Sequence, residues 1–191
     1  MILIPAIAIG VALLRRDPPP TFTREPVTVT GGQVLGTVKD GIRSYKGIPF
    51  AAPPVGNNRW RSPQPVESWT GVRKADTFGP APMQNKGVVM LFSGKLDVKI
   101  SEDCLYLNVW TPAKHPKEKL PVMVWIYGGG FNSGLTSSPL YGGANLAKRG
   151  VIVVSIAYRV GPFGFMAHPE LNRESGKGSG TYGLQDMVAG L

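Results

Sequence analysis

The amino-acid sequence predicts an α/β fold in which an antiparallel β-meander leads into a mainly parallel central sheet. Three observations support this prediction. An Asp-Gly pair stands between two strand-like runs near the start of the chain, three later runs are almost wholly apolar, and helix-like segments follow the last two of those runs. Continuous apolar strands are typical of a sheet that helices cover on both faces, which indicates an α/β architecture.

The first predicted elements are the strands of the meander. Val27–Thr30 alternates between apolar and polar residues, as a half-exposed strand does. The runs 33–38 and 42–46 flank the Asp-Gly pair at 40–41, and such a pair predicts a hairpin because glycine tolerates the positive φ of a type I′ turn. Residues 47–82 are rich in proline and glycine and predict an ordered, irregular stretch.

The central strands come next. The runs Leu105–Trp110, Val122–Tyr127 and Val151–Tyr158 are largely apolar and predict strands buried on both faces. Asn145–Arg149 is a short helix candidate between the last two runs. A strand, a crossover helix and a second strand predict a parallel α/β unit.

The two ends of the chain carry separate signals. Leu184, Met187, Val188 and Leu191 have the spacing of an amphipathic helix that runs to the last residue without a capping signal. We therefore interpret the chain as the front part of a longer protein. At the other end, Ile2–Leu14 is apolar but shorter than the ~20 residues that a transmembrane helix needs.

The apolar N-terminal segment is followed by two arginines and a proline-rich stretch, whereas an export signal has its positive charge first. It is either a clipped or misplaced export signal or short anchor, or a poorly ordered tail. We assign residues 1–22 to this segment and its linker, and residues 23–191 to the folded part. Membrane association stays open, and export to the periplasm or medium is slightly favoured over a cytoplasmic location.

Composition excludes several classes of protein. The 191 residues include 42% hydrophobic residues, which excludes a disordered chain. The formal net charge is +9, but the basic residues are scattered rather than clustered on one helix face, which argues against a nucleic-acid partner. The single cysteine excludes a disulfide framework and a cysteine-based zinc site.

A glycine-rich loop is the strongest chemical signal. Gly128–Gly130 directly follow the second apolar run, and three glycines allow successive backbone N–H groups to point into one space. Such a nest can stabilise an oxyanion, although three glycines taken alone are explained more readily by a plain tight turn. A phosphate-binding loop is excluded because no Gly-Lys-Ser/Thr follows at the required spacing.

Six blocks of the chain share one family's pattern of glycine, proline, aromatic and charged residues. They are Lys46–Ala51, Pro53–Gly56, Glu102–Val109, Pro121–Phe131, Tyr158–Phe165 and Gly183–Asp186. In this order the blocks resemble the type-B carboxylesterase family, which includes the cholinesterases, and most nearly its para-nitrobenzyl-esterase branch. The resemblance implies the α/β-hydrolase fold, of which this chain would be the N-terminal portion, truncated before the nucleophile elbow.

The resemblance also implies a function. The parent protein would be a serine carboxylic-ester hydrolase that acts on small-molecule esters through an acyl-enzyme, without a metal or organic cofactor. Gly129 and Gly130 would supply two N–H groups of the oxyanion hole. The G-x-S-x-G elbow is absent, because none of the eleven serines has a glycine both two residues before it and two residues after it. The chain alone is therefore predicted to be inactive, and His115 and His168, each beside a proline, are predicted to lie in surface loops.

Five further residues are assigned structural roles by the same resemblance. Arg59 is expected to pair with Glu102, and Arg159 with Asp186, because a charge within an apolar block is costly unless it is paired. Cys104 occupies a position that forms a disulfide in many family members. The upstream block that supplies the partner there has no cysteine in this sequence, so we predict a buried free thiol.

Two questions about specificity and class follow. The loop Asn85–Ser101 would lie over the active-site gorge and contains no tryptophan, which favours aryl or alkyl esters over choline esters. A catalytically silent, cholinesterase-like binding or adhesion homologue is the alternative function, because such a protein can retain the glycine loop.

Overall fold

A computed structural model describes residues 20–95, 97–115 and 117–191. The apolar segment Ile2–Leu14 lies outside these residues. The strands are β1 Thr21–Phe22, β2 Val27–Val29, β3 Gly32–Leu35, β4 Thr37–Lys39, β5 Ile42–Pro49, β6 Val72–Lys74, β7 Tyr106–Thr111, β8 Val122–Ile126 and β9 Ile152–Ile156. The helices are α1 Lys86–Ser93, α2 Ala144–Ala147, α3 Gly161–Phe165, α4 Pro169–Ser175 and α5 Tyr182–Gly190, with 3₁₀ turns at Gly56–Asn58 and Pro139–Tyr141.

The strands form two sheets. The larger sheet has the order β1-β4-β5-β7-β9-β8, and the smaller has the order β2-β3-β6. The pairing of β1 with β4 means that the larger sheet begins at Thr21, within the residues that the sequence assigns to the linker. In the described part of the chain, β8 and β9 are the one parallel pair of the larger sheet.

The expected mainly parallel sheet is thus found only where β8 meets β9. Strand β7 is antiparallel to both of its neighbours, β5 and β9. Its apolar composition reflects a central position in the sheet, and burial of this kind does not determine strand direction. Asn108 in β7 is fully buried. Its side-chain Nδ2 donates to the Ser155 hydroxyl, and its side-chain Oδ1 accepts from Gly47 N–H. These bonds tie β7 to both neighbouring strands.

The predicted hairpin is confirmed. Strands β4 and β5 pair with Lys39 opposite Ile42. The two turn residues, Asp40 and Gly41, have φ values of 51° and 75°, as a type I′ turn requires.

Strand β8 differs from its sequence expectation of burial on both faces. All five of its residues are exposed, from 36% at Ile126 to 59% at Val122. The physical reason is position, because β8 is the last strand of the larger sheet. Among the described residues the strand has one neighbour, β9, so its outer edge is unpaired.

Helix α5 also differs in the face that it buries. The predicted apolar stripe is largely exposed, since Leu184 is 44% and Val188 is 72% accessible. The helix instead buries Tyr182, Gly183 and Asp186. An ion pair made by Asp186 orients the helix, as described below. No helix in the described ranges is long and apolar enough to cross a membrane.

Candidate active site

The glycine loop leaves β8 and turns sharply at its second glycine. Gly129, Gly130 and Phe131 have φ values of 132°, 59° and 62°, so three consecutive residues occupy positive-φ backbone. The loop is closed by Asn132 N–H, which donates to the Gly129 carbonyl at 3.1 Å. A Cβ at Gly129 would lie 2.1 Å from the Ser133 carbonyl oxygen, so only glycine fits at this position.

The two predicted oxyanion donors are free. No acceptor within the described ranges receives a hydrogen bond from the N–H of Gly129 or Gly130, and both residues are exposed. Gly130 and Phe131 line a cleft of about 530 Å³ whose opposite wall is the segment 161–166. Unused backbone donors at the edge of a cleft are what an oxyanion hole requires.

Two tyrosines hold the start of the loop. The Tyr127 hydroxyl donates to the Tyr158 carbonyl at 2.6 Å and accepts from Tyr158 N–H at 3.0 Å. In return the Tyr158 hydroxyl donates to the Tyr127 carbonyl at 3.0 Å, and the rings stack with centroids 4.5 Å apart. Burial raises the pKa of both phenols, so they stay protonated and able to donate. The ends of β8 and β9 are therefore locked together.

The middle of the loop is held by contacts to α3. Gly161 N–H donates to the Phe131 carbonyl at 2.6 Å, and the rings of Phe131 and Phe165 lie 4.8 Å apart. These contacts stabilise Phe131 in a backbone conformation that non-glycine residues rarely adopt.

Arg159 and Asp186 form a buried ion pair behind the loop. Arg159 donates to Asp186 from Nε at 2.8 Å, from Nη2 at 2.7 Å and from its backbone N–H at 3.0 Å. The side chains are 3% and 0% exposed. Nη2 also donates to the Arg61 carbonyl, while Nη1 has no partner among the described residues. The pair connects the residue after Tyr158 to α5.

Arg59 and Glu102 are also brought together. Arg59 donates from Nε at 2.5 Å and from Nη2 at 2.7 Å to the Glu102 carboxylate, in a bidentate arrangement. The side chains are 39% and 21% exposed, so this pair is more accessible to water than the Arg159 pair. It is expected to contribute less to stability.

Cys104 is a free, fully buried thiol that packs against Ala51 and Leu105. Burial, reinforced by the nearby Asp186 carboxylate, raises the pKa of the Cys104 thiol well above its ordinary range. The thiolate is the nucleophilic form, so this residue is poorly suited to attack a substrate.

The histidines do not join the site. His168 is exposed and caps α4, with Nδ1 accepting from Glu170 N–H at 3.2 Å. His115 is exposed beside Glu118, whose carboxylate accepts from its backbone N–H. Within the described residues, no group of His, Cys, Asp and Glu side chains could hold a metal ion.

Helix α1 occupies the loop expected to lie over the gorge. Asn85 caps its start by accepting from Gly87 N–H at 2.8 Å, and Gly94 ends it with φ 65°. Val89 is buried and Phe92 partly buried against a cluster that includes Leu135. Phe92 thus contributes to the packing beneath the helix.

Comparison with known proteins identifies the family. The model of the carboxylesterase family matches residues 23–191. This chain belongs to the carboxylesterase family. The fumonisin B1 esterase of Sphingopyxis macrogoltabida is 45% identical over 185 residues, which cover 96% of this chain and 33% of that protein. The para-nitrobenzyl esterase of Bacillus subtilis is 44% identical over 89% of this chain and 34% of that protein.

Solved structures of carboxylesterases share the fold. A para-nitrobenzyl esterase superposes with a TM-score of 0.80 at 44% identity, over 87% of this chain and 34% of that one. A carboxylesterase from Geobacillus stearothermophilus superposes with a TM-score of 0.72 at 40% identity, over 87% and 33%. The predicted α/β-hydrolase fold is confirmed, and the chain spans about a third of the length of the relatives it matches.

Sequence reasoning missed three supports of the loop: the crossed tyrosines, the Phe131–Phe165 contact and a glutamine, Gln84, bound to Gly134. The crossed tyrosines had a visible signal, because the runs Val122–Tyr127 and Val151–Tyr158 both end in tyrosine. Nothing in a single sequence pairs Gln84 with a glycine fifty residues away.

Proposed function

We propose that this chain is part of a serine carboxylic-ester hydrolase and contributes the oxyanion-binding side of its catalytic centre. The observation that carries the proposal is that the N–H groups of Gly129 and Gly130 have no acceptor among the described residues, with Gly130 lining an open cleft. Membership of the carboxylesterase family supports it.

In the proposed reaction, a serine outside these 191 residues attacks the ester carbonyl carbon, and a histidine takes the serine proton. Negative charge develops on the carbonyl oxygen, where Gly129 and Gly130 donate hydrogen bonds. Donors that the fold holds in place need no reorganisation as the charge appears, which is why each is worth ~10²–10³ in rate. The alcohol leaves with the proton, and water then hydrolyses the acyl-enzyme. The mechanism uses no metal and no organic cofactor.

For the substrate we propose a small carboxylic ester of the aryl or alkyl type. The segment 85–101 has no tryptophan to hold a quaternary ammonium group by cation–π attraction, which disfavours choline esters. The relatives named for fumonisin B1 and para-nitrobenzyl esters support an ester substrate of low molecular mass.

We also propose that the residues before Thr21 precede the catalytic domain as a separate segment and that the protein is exported. The apolar run Ile2–Leu14 supports this, as does the duck fatty acyl-CoA hydrolase relative, which is described as a precursor. Export is tested by fractionating cells that express the longest reading frame, and retention in the cytoplasm contradicts it.

The ester-hydrolase proposal is tested with the longest open reading frame that contains this chain. We expect turnover of p-nitrophenyl acetate that a serine-directed fluorophosphonate abolishes. The 191-residue chain is the matched control and should be inactive, since none of its serines has the elbow pattern. A longer protein with neither turnover nor labelling would instead indicate a silent binding homologue.

A further inference from the structure

Gln84 lies where the segment leading into α1 meets the far end of the glycine loop. Its amide Nε2 donates to the Gly134 carbonyl at 2.7 Å and to the Pro82 carbonyl at 3.1 Å. Its Oε1 accepts from Gly134 N–H at 2.9 Å. One side chain therefore binds both backbone polar groups of Gly134, in the manner of a paired strand.

The other side of Gly134 is closed by an aromatic ring. A Cβ at Gly134 would lie 2.1 Å from Cδ2 of Tyr127, and φ there is 140°. Gly134 is thus buried between the Gln84 amide and the Tyr127 ring. The same tyrosine begins the glycine loop, so the two ends of the loop meet at one place.

Contacts within the loop connect Gly134 to the donors. Ser133, which precedes Gly134, has its carbonyl oxygen 2.1 Å from the Cβ position of Gly129, and its hydroxyl donates to the Gly129 carbonyl at 3.4 Å. Any displacement of Gly134 shifts Ser133, and Ser133 lies directly against Gly129. The position of the oxyanion donors therefore depends on what holds Gly134.

Helix α1 shares this anchor. Its buried Val89 packs with Leu135, and the Ser138 hydroxyl donates to the Phe92 carbonyl at 2.8 Å. The segment that follows the glycine loop thus supports both α1 and the donors, and Gln84 is the side chain that joins α1's leading segment to it.

We infer that Gln84 is a positioning residue for the oxyanion hole. It acts through Gly134 and Ser133 to set the direction of the Gly129 and Gly130 N–H groups, and it does not touch the substrate. The inference rests on the proposed ester-hydrolase function. Its physical basis is that oxyanion donors are effective only within a few tenths of an ångström of the reacting oxygen, so that a ~1 Å displacement costs ~10²-fold in rate.

The kinetic test uses Gln84→Met, which keeps the length of the side chain and removes its hydrogen bonds, in the longest reading frame. Gln64→Met is the matched control, because Gln64 is exposed and, within the described ranges, its side-chain amide binds only the nearby Ser62 carbonyl. With p-nitrophenyl acetate we expect kcat to fall 10- to 100-fold for Gln84→Met, with KM within 2-fold of the unsubstituted protein. The control should show neither change.

Two further measurements distinguish positioning from general stabilisation. A trifluoromethyl ketone inhibitor, whose adduct places an oxyanion in the hole, should lose affinity by the same factor as kcat. Gln84→Glu, which retains an acceptor for Gly134 N–H but sets a carboxylate oxygen against the Gly134 and Pro82 carbonyls, should lose at least as much as Gln84→Met. Equal losses of inhibitor affinity in Gln84→Met and in Gln64→Met overturn the inference, and so does an unchanged kcat in Gln84→Met.

Amide hydrogen exchange separates this inference from the proposed function. Exchange at residues 128–133 should accelerate at least tenfold in Gln84→Met and Gln84→Glu relative to Gln64→Met. If the unsubstituted protein is inactive, the proposed function fails and the exchange rates still decide whether Gln84 positions the loop. Unchanged exchange in both Gln84 variants overturns it.

Discussion

At the scale of single residues, the glycine loop depends on two positions with different surroundings. Gly129 is packed against Ser133, with no room for a side chain. Gly130 has φ 59°, but nothing lies within 4 Å of its Cβ position. The two residues therefore differ in what a methyl group would do, although both are proposed to donate to the same oxyanion.

This difference gives the first prediction. Gly129→Ala should lower kcat/KM in the longest reading frame by ~10²–10³-fold, because the methyl group displaces the loop and removes a donor. Gly130→Ala should lower kcat/KM by less, because alanine at this position meets only the intrinsic cost of left-handed backbone, about 1–2 kcal/mol. Equal losses from the two substitutions contradict the geometry.

The second prediction concerns the two ion pairs. Asp186→Asn should lower the free energy of unfolding by ~3–5 kcal/mol, because it leaves the buried Arg159 charge without a counter-ion. Glu102→Gln should lower it by clearly less, since its pair with Arg59 is partly exposed and screened by water. Urea unfolding of the longest reading frame checks both values, and a larger loss for Glu102→Gln would refute the ranking.

The third prediction concerns Cys104. Its pKa is raised by burial, so the protonated thiol is the form compatible with the fold. Stability from this group is fully present below about pH 8.5, where an exposed thiol ionises, and is lost progressively at higher pH. A thiol reagent at pH 8 should therefore modify Cys104 only when the protein is unfolded. Stoichiometric modification of the native protein contradicts this.

At the scale of elements, strand β8 has an apolar edge that no other described strand pairs with. Its residues are all at least one-third exposed, and its neighbour β9 lies on one side. Unpaired flat edges promote association between chains, and a charge placed on such an edge opposes it.

The fourth prediction follows from that edge. The 191-residue chain should self-associate, and Val124→Lys in β8 should shift it towards monomer in light scattering. Val72→Lys in β6 is the control, because Val72 is also exposed but belongs to a three-residue strand of the smaller sheet. If the unsubstituted 191-residue chain is monomeric, or if both substitutions have equal effects, the prediction is contradicted.

At the scale of elements, sequence patterns predict local structure better than they predict which strands and helices pack side by side. The type I′ hairpin at Asp40 and Gly41 and the short helix α2 follow from local chemistry and are present. The direction of β7 and the exposure of β8 depend on which strands lie beside them, and an apolar run does not encode its neighbours. Likewise, α5 is oriented by the Asp186 ion pair and not by its apolar stripe.

The same distinction applies to the site. Motif resemblance predicts that the glycines are donors, and both have positive φ in the folded loop. The contacts that hold the loop come from Gln84, Tyr158 and Phe165, which are distant in sequence. These could be found only from the folded chain.

At the scale of the whole molecule, the chain spans about a third of the length of its carboxylesterase relatives. The net charge of +9 describes these 191 residues alone and gives little information on the partners of a longer protein. The central claim is that Gly129 and Gly130 bind the oxyanion of a serine ester hydrolase. Among the described residues the N–H groups of Gly129 and Gly130 have no acceptor, and the loop that carries them is supported from β8, β9 and α3.

The most direct test of that claim is a crystal structure of the protein encoded by the longest reading frame, after its reaction with a serine-directed phosphonate. We predict one phosphonyl oxygen within about 2.7–3.1 Å of the backbone nitrogens of both Gly129 and Gly130. An adduct whose oxygens are bound elsewhere, or a protein that forms no adduct, would contradict the account.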